Sequence, residues 1–100
     1  MKSYFEEVSK LEDGTYLIDP DKGIINYAER WAYGYIVGIR TLDMTDLKNY
    51  ALFGVWTDED GTKHWDVVKH VGAIQDARKL AADFDQKCIW DLRDEKVVHV

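Results

Sequence analysis

The segment TDEDGTKHWD, residues 57–66, places three consecutive acidic residues and a glycine before a histidine, a tryptophan and an aspartate. Clustered acidic residues near a glycine also occur in calcium loops, in which glycine stands at the sixth position and a carboxylate at the twelfth. A loop that begins at Asp58 has Thr62 at its fifth position, Lys63 at its sixth and Lys69 at its twelfth. The segment therefore fails as a calcium loop, and Asp-Gly between two β-rich stretches predicts a hairpin turn.

A transition-metal site is the next chemistry that this region suggests, because His64, Asp66 and His70 all carry metal-binding atoms. Side chains two residues apart project from the same face of a strand, so we expect His64 and Asp66 to lie side by side. His70 is about 20 Å farther along a straight strand, whereas ligand bonds are about 2 Å long. A small metal-binding protein or enzyme that uses His64 and Asp66 remains an alternative, and our first expectation is no metal.

The residues that act as nucleophiles in enzymes lie in unfavourable places. Cys88 falls where a predicted helix passes into a strand, and a free cysteine is usually a small buried apolar residue. Ser3 and Ser9 fall in a predicted N-terminal helix. Gly34 and Gly38 bracket the stretch GYIVG, which matches neither a phosphate loop nor a dinucleotide motif. The sequence therefore indicates a protein that is not an enzyme and that needs no cofactor.

The charge of the chain bears on its partners. Thirteen basic and nineteen acidic residues give a net charge of −6, which disfavours direct binding to nucleic acid because that binding requires cations. The acidity has two interpretations that the sequence leaves open. It keeps the protein soluble, or it forms an acidic face that binds a basic protein, in the extreme by imitating nucleic acid.

Cysteine content and hydropathy indicate the compartment. The single cysteine, Cys88, cannot form an internal disulfide. The first residues lack the apolar stretch of a signal peptide, and no apolar run approaches the roughly 18 residues of a membrane span. We expect a cytoplasmic protein that makes no contact with a membrane.

The register of the predicted hairpin decides which side chains share a face. A two-residue turn at Asp60 and Gly61 would pair Trp56 with Trp65. A type I turn with Gly61 in a bulge would instead pair Val55 with Trp65. We prefer the second register because it collects the apolar side chains on one face. That face carries Phe53, Val55, Trp65 and Val67, and the opposite face carries Gly54, Trp56, His64 and Asp66.

Two helices and several strands complete the sequence prediction. Residues 72–86 carry an apolar stripe at helical spacing, and Ser3 with Glu6 resembles the capping box of a short N-terminal helix. β-rich stretches and turn residues indicate the strands. The expected fold is a single α+β domain over residues 1–100, in which an antiparallel sheet of about five to six strands packs on one main helix. The stripe consists of Ile74, Ala77, Leu80, Ala81 and Phe84.

The tryptophans and tyrosines are too numerous to fit under one helix, so some of them could form an exposed binding surface. An exposed aromatic patch with an acidic rim is typical of a protein interface. The alternative is that the N-terminal helix and the loop at residues 40–48 cover the aromatics. A homodimer through an exposed strand edge at residues 97–100 is a further alternative. The candidate residues for binding a basic partner protein are Trp56, Asp58, Glu59, His64 and Asp66.

The segment LFGVWTDEDGTKHWDVVKHVGAIQDARKLAADFDQKCIWDL, residues 52–92, resembles small accessory proteins encoded by tailed phages and prophages. In those proteins a Gly-hydrophobic-Trp hairpin precedes an Ala-rich helix and an aromatic-Asp-Leu strand. The resemblance implies a sheet with a helix. It also implies a protein-binding module that inhibits a host or defence protein, and it assigns a role to no individual residue.

Overall fold

The computed structural model describes residues 4–100, apart from the side chain of Glu29. Short 3-10 turns occupy Tyr27–Glu29 and Met44–Asp46. The predicted Ser3 cap lies outside the described residues. The helices and strands, in chain order, are α1 (Phe5–Ser9), β1 (Gly14–Asp19), β2 (Gly23–Asn26), β3 (Tyr35–Thr41), β4 (Leu52–Thr57), β5 (Lys63–Val71), α2 (Ile74–Asp83), β6 (Cys88–Asp91) and β7 (Lys96–His99).

The strands form one antiparallel sheet in the order β2-β1-β4-β5-β3-β6-β7. The α+β class, the antiparallel sheet and the two helices are therefore confirmed. The described part of the chain has seven strands, so the expected five to six was too few. The strands β2, β6 and β7 have only four residues each, and such short strands give a weak alternating pattern.

The β4–β5 hairpin adopts the preferred register, with Phe53 opposite Val67 and Val55 opposite Trp65. Gly61 has a φ of +84°, a left-handed conformation that glycine adopts without steric cost. The backbone N–H of Gly61 donates to the carbonyl of Asp58 at 3.0 Å. The acidic residues Asp58, Glu59 and Asp60 are thus the turn of a hairpin with a glycine bulge.

One face of the sheet, here the covered face, packs against both helices and the loop at residues 42–51. Phe53 and Ile18 are fully buried there. Val8 of α1 packs on them, and the indole N–H of Trp65 donates to the Val8 carbonyl at 3.1 Å. Because the hairpin register sends Trp65 to this face, Trp56 must project from the other.

Helix α2 packs on the same face over β3 and β6. Ala77 and Ala81 have no exposed surface and contact Val37 and Ile89. The helix is shorter than the predicted 72–86, because Ala73 is extended and Asp85 has a φ of +57°. Phe84, expected in the apolar stripe, is 43% exposed at the end of the helix, so that assignment was wrong.

The opposite face, here the groove face, is covered only in part. The segment of residues 27–34 crosses it, and Tyr27 packs with Ile36, Val68 and Leu92. His70 lies under this segment, where its Nε2 is 2.7 Å from the carbonyl oxygen of Tyr33. The rest of the groove face is open.

Candidate functional site

The open part of the groove face forms a cleft of about 700 Å³, here called the groove. Its volume lies within the usual range for binding clefts, about 300–1,000 Å³. It extends across β4, β5, β3 and β6 and is bounded on one side by the connection between α2 and β6. The side chains that line the groove include those of Trp56, Asp66, Val68, Cys88 and Trp90.

Two glycines keep the floor of the groove low. A Cβ atom on Gly54 would lie 3.3 Å from Cγ1 of Val68, tighter than ordinary van der Waals contact. A Cβ atom on Gly38 would lie 3.5 Å from Oε1 of Gln86. Glycine inside a strand commonly marks a place where another chain or a ligand approaches the backbone closely. Strand β3 also carries a bulge between Gly38 and Arg40, which bends it at this point.

Trp56 stands at one end of the groove in a fixed orientation. Its indole ring stacks on the imidazole of His64, with ring centroids 4.3 Å apart and an interplanar angle of 18°. Its Nε1–H donates to Oδ2 of Asp66 at 2.8 Å. Trp56 remains 48% exposed, so the indole face opposite His64 is open. The stack and the hydrogen bond therefore present an oriented aromatic surface.

Asp58 fixes His64 from the turn of the hairpin. Its Oδ2 lies 2.8 Å from Nε2 of His64, while Oδ1 accepts hydrogen bonds from the backbone N–H groups of Asp60 and Thr62. The hydrogen bond from His64, followed by that from Thr62, lowers the pKa of the Asp58 carboxyl. Asp58, His64, Trp56 and Asp66 thus form one connected chain along the hairpin.

The rim of the groove is acidic. Asp13 accepts hydrogen bonds from the hydroxyl and the backbone N–H of Thr57, at 2.7 and 3.2 Å. The ionisable side chains that line the groove are Asp13, Asp66, Asp85, Lys87 and the thiol of Cys88, so the carboxylates outnumber the single ammonium group by three to one. The acidic turn of the hairpin adds negative charge beside Trp56.

Trp90 lies at the other end of the groove and is 37% exposed. Its strand β6 also carries Cys88, whose Sγ lies 3.2 Å from Nδ1 of His99 on β7. Trp56 lies opposite His64, and Trp90 lies opposite Ile36, which in turn lies opposite His70. The two tryptophans are therefore about 14 Å apart across the sheet and about 20 Å apart along it.

The structure brings four of the five candidate binding residues together. Asp58 contacts His64, His64 stacks on Trp56, and Trp56 donates to Asp66. Glu59 lies exposed in the same turn, and among residues 4–100 no hydrogen bond or ion pair involves it. The sequence interpretation did not include Trp90, Gly38 or the connection at residues 84–87 in the candidate site. Strand order brings these to the groove from distant parts of the chain.

Some of the aromatic residues are covered, and others form an exposed patch, so each of the two alternatives holds for part of the set. The N-terminal helix and the loop at residues 42–51 cover Trp65, which is on the covered face. They do not cover Trp56, which is 48% exposed on the groove face. Tyr27, Trp31 and Tyr33 surround His70, with ring centroids 5.5 to 5.9 Å from the imidazole. An exposed aromatic surface therefore exists, and it carries two tryptophans in the groove.

The arrangement around His64 does not converge on a metal position. Its Nε2 faces Asp58, and Asp66 instead accepts from Trp56. Among residues 4–100, no group of three or more His, Cys, Asp or Glu side chains is placed to hold a metal ion.

Comparisons of the chain with protein-family models, with curated proteins and with solved structures found no match. Within residues 4–100, none of the helices is long and apolar enough to cross a membrane.

Proposed function

We propose that this protein binds a basic, extended segment of another protein in the groove between Trp56 and Trp90. The observation that carries the proposal is the groove itself, a glycine-floored cleft with an acidic rim and an exposed tryptophan at each end, of which Trp56 is held in a fixed orientation. Tryptophans in desolvated pockets dominate the binding energy of many interfaces. Carboxylates around them favour a partner that carries positive charge.

The dimensions of the groove support an extended segment. The offsets across and along the sheet place the tryptophans about 24 Å apart on a diagonal. An extended chain spans about 3.3–3.6 Å per residue, so about seven residues would reach from one tryptophan to the other. The glycine floor leaves room for the backbone of such a segment to lie close to the sheet.

The proposed partner is a basic protein, and binding is stoichiometric rather than catalytic. An inhibitor of a host or defence protein, as the resemblance to phage accessory proteins implies, would act in this way. Imitation of nucleic acid would be a special case in which the partner's basic segment normally contacts phosphates. The inhibitor and the nucleic-acid mimic both require that the groove binds the partner protein.

Affinity measurements on a reconstituted complex test this proposal. Immobilised protein is used to capture partners from a lysate of the source cell, and a captured basic protein is purified and titrated. Trp56→Ala and Trp90→Ala should each weaken binding at least about tenfold, because each removes a large aromatic contact. Phe5→Ala is the matched control, since Phe5 is 54% exposed on α1, which packs against the opposite face. A dissociation constant insensitive to both tryptophan changes would reject the groove as the binding site.

Self-association through β7 is a second candidate, favoured by the position of that strand at the edge of the sheet. Val97 and Val100 are 54% and 49% exposed there. An unprotected strand edge pairs readily with another copy. Sedimentation at several concentrations would show a dimer if this edge pairs, and Val97→Lys should then restore the monomer. A monomer at all concentrations would exclude this candidate.

A further inference from the structure

We infer that the Trp56–Asp66 pair is an arginine-binding subsite, which selects arginine over lysine in the segment that occupies the groove. This inference rests on the proposed function and adds the chemical identity of one side chain of the partner. Two observations carry it: the open face of the Trp56 indole, and an unpaired oxygen on the adjacent carboxylate.

The carboxylate of Asp66 is only partly used within the protein. Trp56 donates to Oδ2, and within the described part of the chain this is the only hydrogen bond that the Asp66 carboxylate receives. Asp66 is half-buried on the groove face beside Gly54. Asp66 lines the groove, and its Oδ1 accepts no hydrogen bond from residues 4–100. This oxygen is therefore a charged acceptor that a donor from a bound segment can reach.

The open face of Trp56 supplies the second half of the subsite. His64 occupies one face of the indole, and the hydrogen bond to Asp66 fixes the ring's rotation. A cation above the free face is attracted by the π electrons of the ring, and tryptophan is the strongest such partner. A planar guanidinium can stack on this face while its N–H groups reach Oδ1 of Asp66.

The geometry favours arginine over lysine for two reasons. The guanidinium is planar and weakly hydrated, so it stacks on an aromatic ring at a smaller desolvation cost than an ammonium group. It also carries several N–H donors in one plane, so it can bind the carboxylate while it remains stacked. An ammonium group offers the charge alone. Lysine should therefore bind the same subsite more weakly.

Titration of the full chain with two peptides tests the inference. The probes are acetylated hexa-arginine and hexa-lysine, which carry the same charge, and the readouts are calorimetric affinity and the indole ¹H–¹⁵N signal of Trp56. Hexa-arginine should bind at least about threefold more tightly than hexa-lysine and should shift the Trp56 signal more. In Asp66→Asn the affinity ratio should fall to about one. Asp21→Asn is the control, because it removes the same charge from an exposed turn at the far edge of the sheet.

Each outcome of this titration has a distinct meaning. Equal affinity for the two peptides, with the Trp56 signal shifted by both, would overturn the arginine subsite and leave the proposed function standing. No binding by either peptide would overturn both. Trp56→Phe keeps an aromatic ring but loses the indole donor, so it serves as a second variant. It should weaken hexa-arginine more than hexa-lysine, and equal weakening would also count against the subsite.

Discussion

The spacing of His64 and Asp66 suggests a shared metal site, but in the structure each side chain contacts a different residue. The period of two residues correctly places both side chains on one face. Their partners, however, come from outside that pattern, since His64 pairs with Asp58 in the turn and Asp66 with Trp56 on the neighbouring strand. The face was therefore predictable from the sequence, whereas the pairing depended on rotamers and on cross-strand neighbours.

Gly34 is the residue at which we expect the largest effect of a single added methyl group. Its φ is +89°, and a Cβ atom there would lie 2.5 Å from Nε2 of His70 and 2.9 Å from the carbonyl oxygen of Val71. Gly34→Ala should lower the free energy of unfolding by more than about 2 kcal/mol, because backbone strain adds to a clash. Gly61→Ala is the matched control. Gly61 has a similar φ of +84° with nothing within 4 Å, so its cost should be the strain of about 1–2 kcal/mol. Urea unfolding measures both, and equal losses would contradict the assigned clash.

The ion pair between Arg40 and Asp46 predicts a loss of stability in acid. The guanidinium of Arg40 donates to both carboxylate oxygens of Asp46, at 2.8 and 2.6 Å, and the backbone N–H of Asp43 donates as well. These hydrogen bonds lower the pKa of Asp46 from its ordinary value of 3.8 to about 2. Since folding lowers this pKa, the stabilisation is complete above pH 4 and is lost as the pH falls towards 2.

Thermal unfolding of wild type and Asp46→Asn between pH 5 and pH 2 measures this effect. The difference between the two midpoints should be largest at pH 5 and should shrink as the pH falls, because only the wild type loses the ion pair. Asp21→Asn should follow the wild type throughout. A difference between wild type and Asp46→Asn that stays constant from pH 5 to pH 2 would contradict the assigned interaction.

At the scale of elements, local signals and long-range pairing were predictable to different degrees. Turn residues and alternation in residues 52–71 were sufficient for the β4–β5 register, since one register alone collects the apolar side chains. The ends of α2 were harder to predict, because neither the extended conformation of Ala73 nor the positive φ of Asp85 has a strong sequence signal. The groove could not be predicted, because it requires β3 to lie between β5 and β6.

Helix α2 packs so closely on the sheet that a larger side chain should not fit. Ala81 has no exposed surface where it contacts the cluster that contains Val37 and Ile89. Ala81→Leu should lower the free energy of unfolding by about 1–3 kcal/mol through overpacking. Ala82→Leu is the control, because Ala82 is exposed on the same helix, and its effect should lie within about 0.5 kcal/mol. Chemical denaturation of both variants measures the difference, and equal effects would contradict the packing described here.

At the scale of the whole molecule, the two faces of the sheet differ in what covers them. Helices and a loop cover one face and form most of the core. The other face is left open over a groove whose lining has three carboxylates and one ammonium group. The whole chain carries a net charge of −6, which attracts a positively charged partner at long range. Because salt screens this attraction, association with a basic partner should slow as ionic strength rises.

The indole ¹H–¹⁵N spectrum during titration with acetylated octa-arginine, which is long enough to reach both tryptophans, tests most directly the central claim that the groove is the binding surface. The signals of Trp56 and Trp90 should shift together with peptide concentration. The Trp65 signal should remain in place, because its N–H donates to Val8 on the covered face. Unchanged Trp56 and Trp90 signals in the presence of bound peptide, or equal shifts of Trp65, would contradict the account.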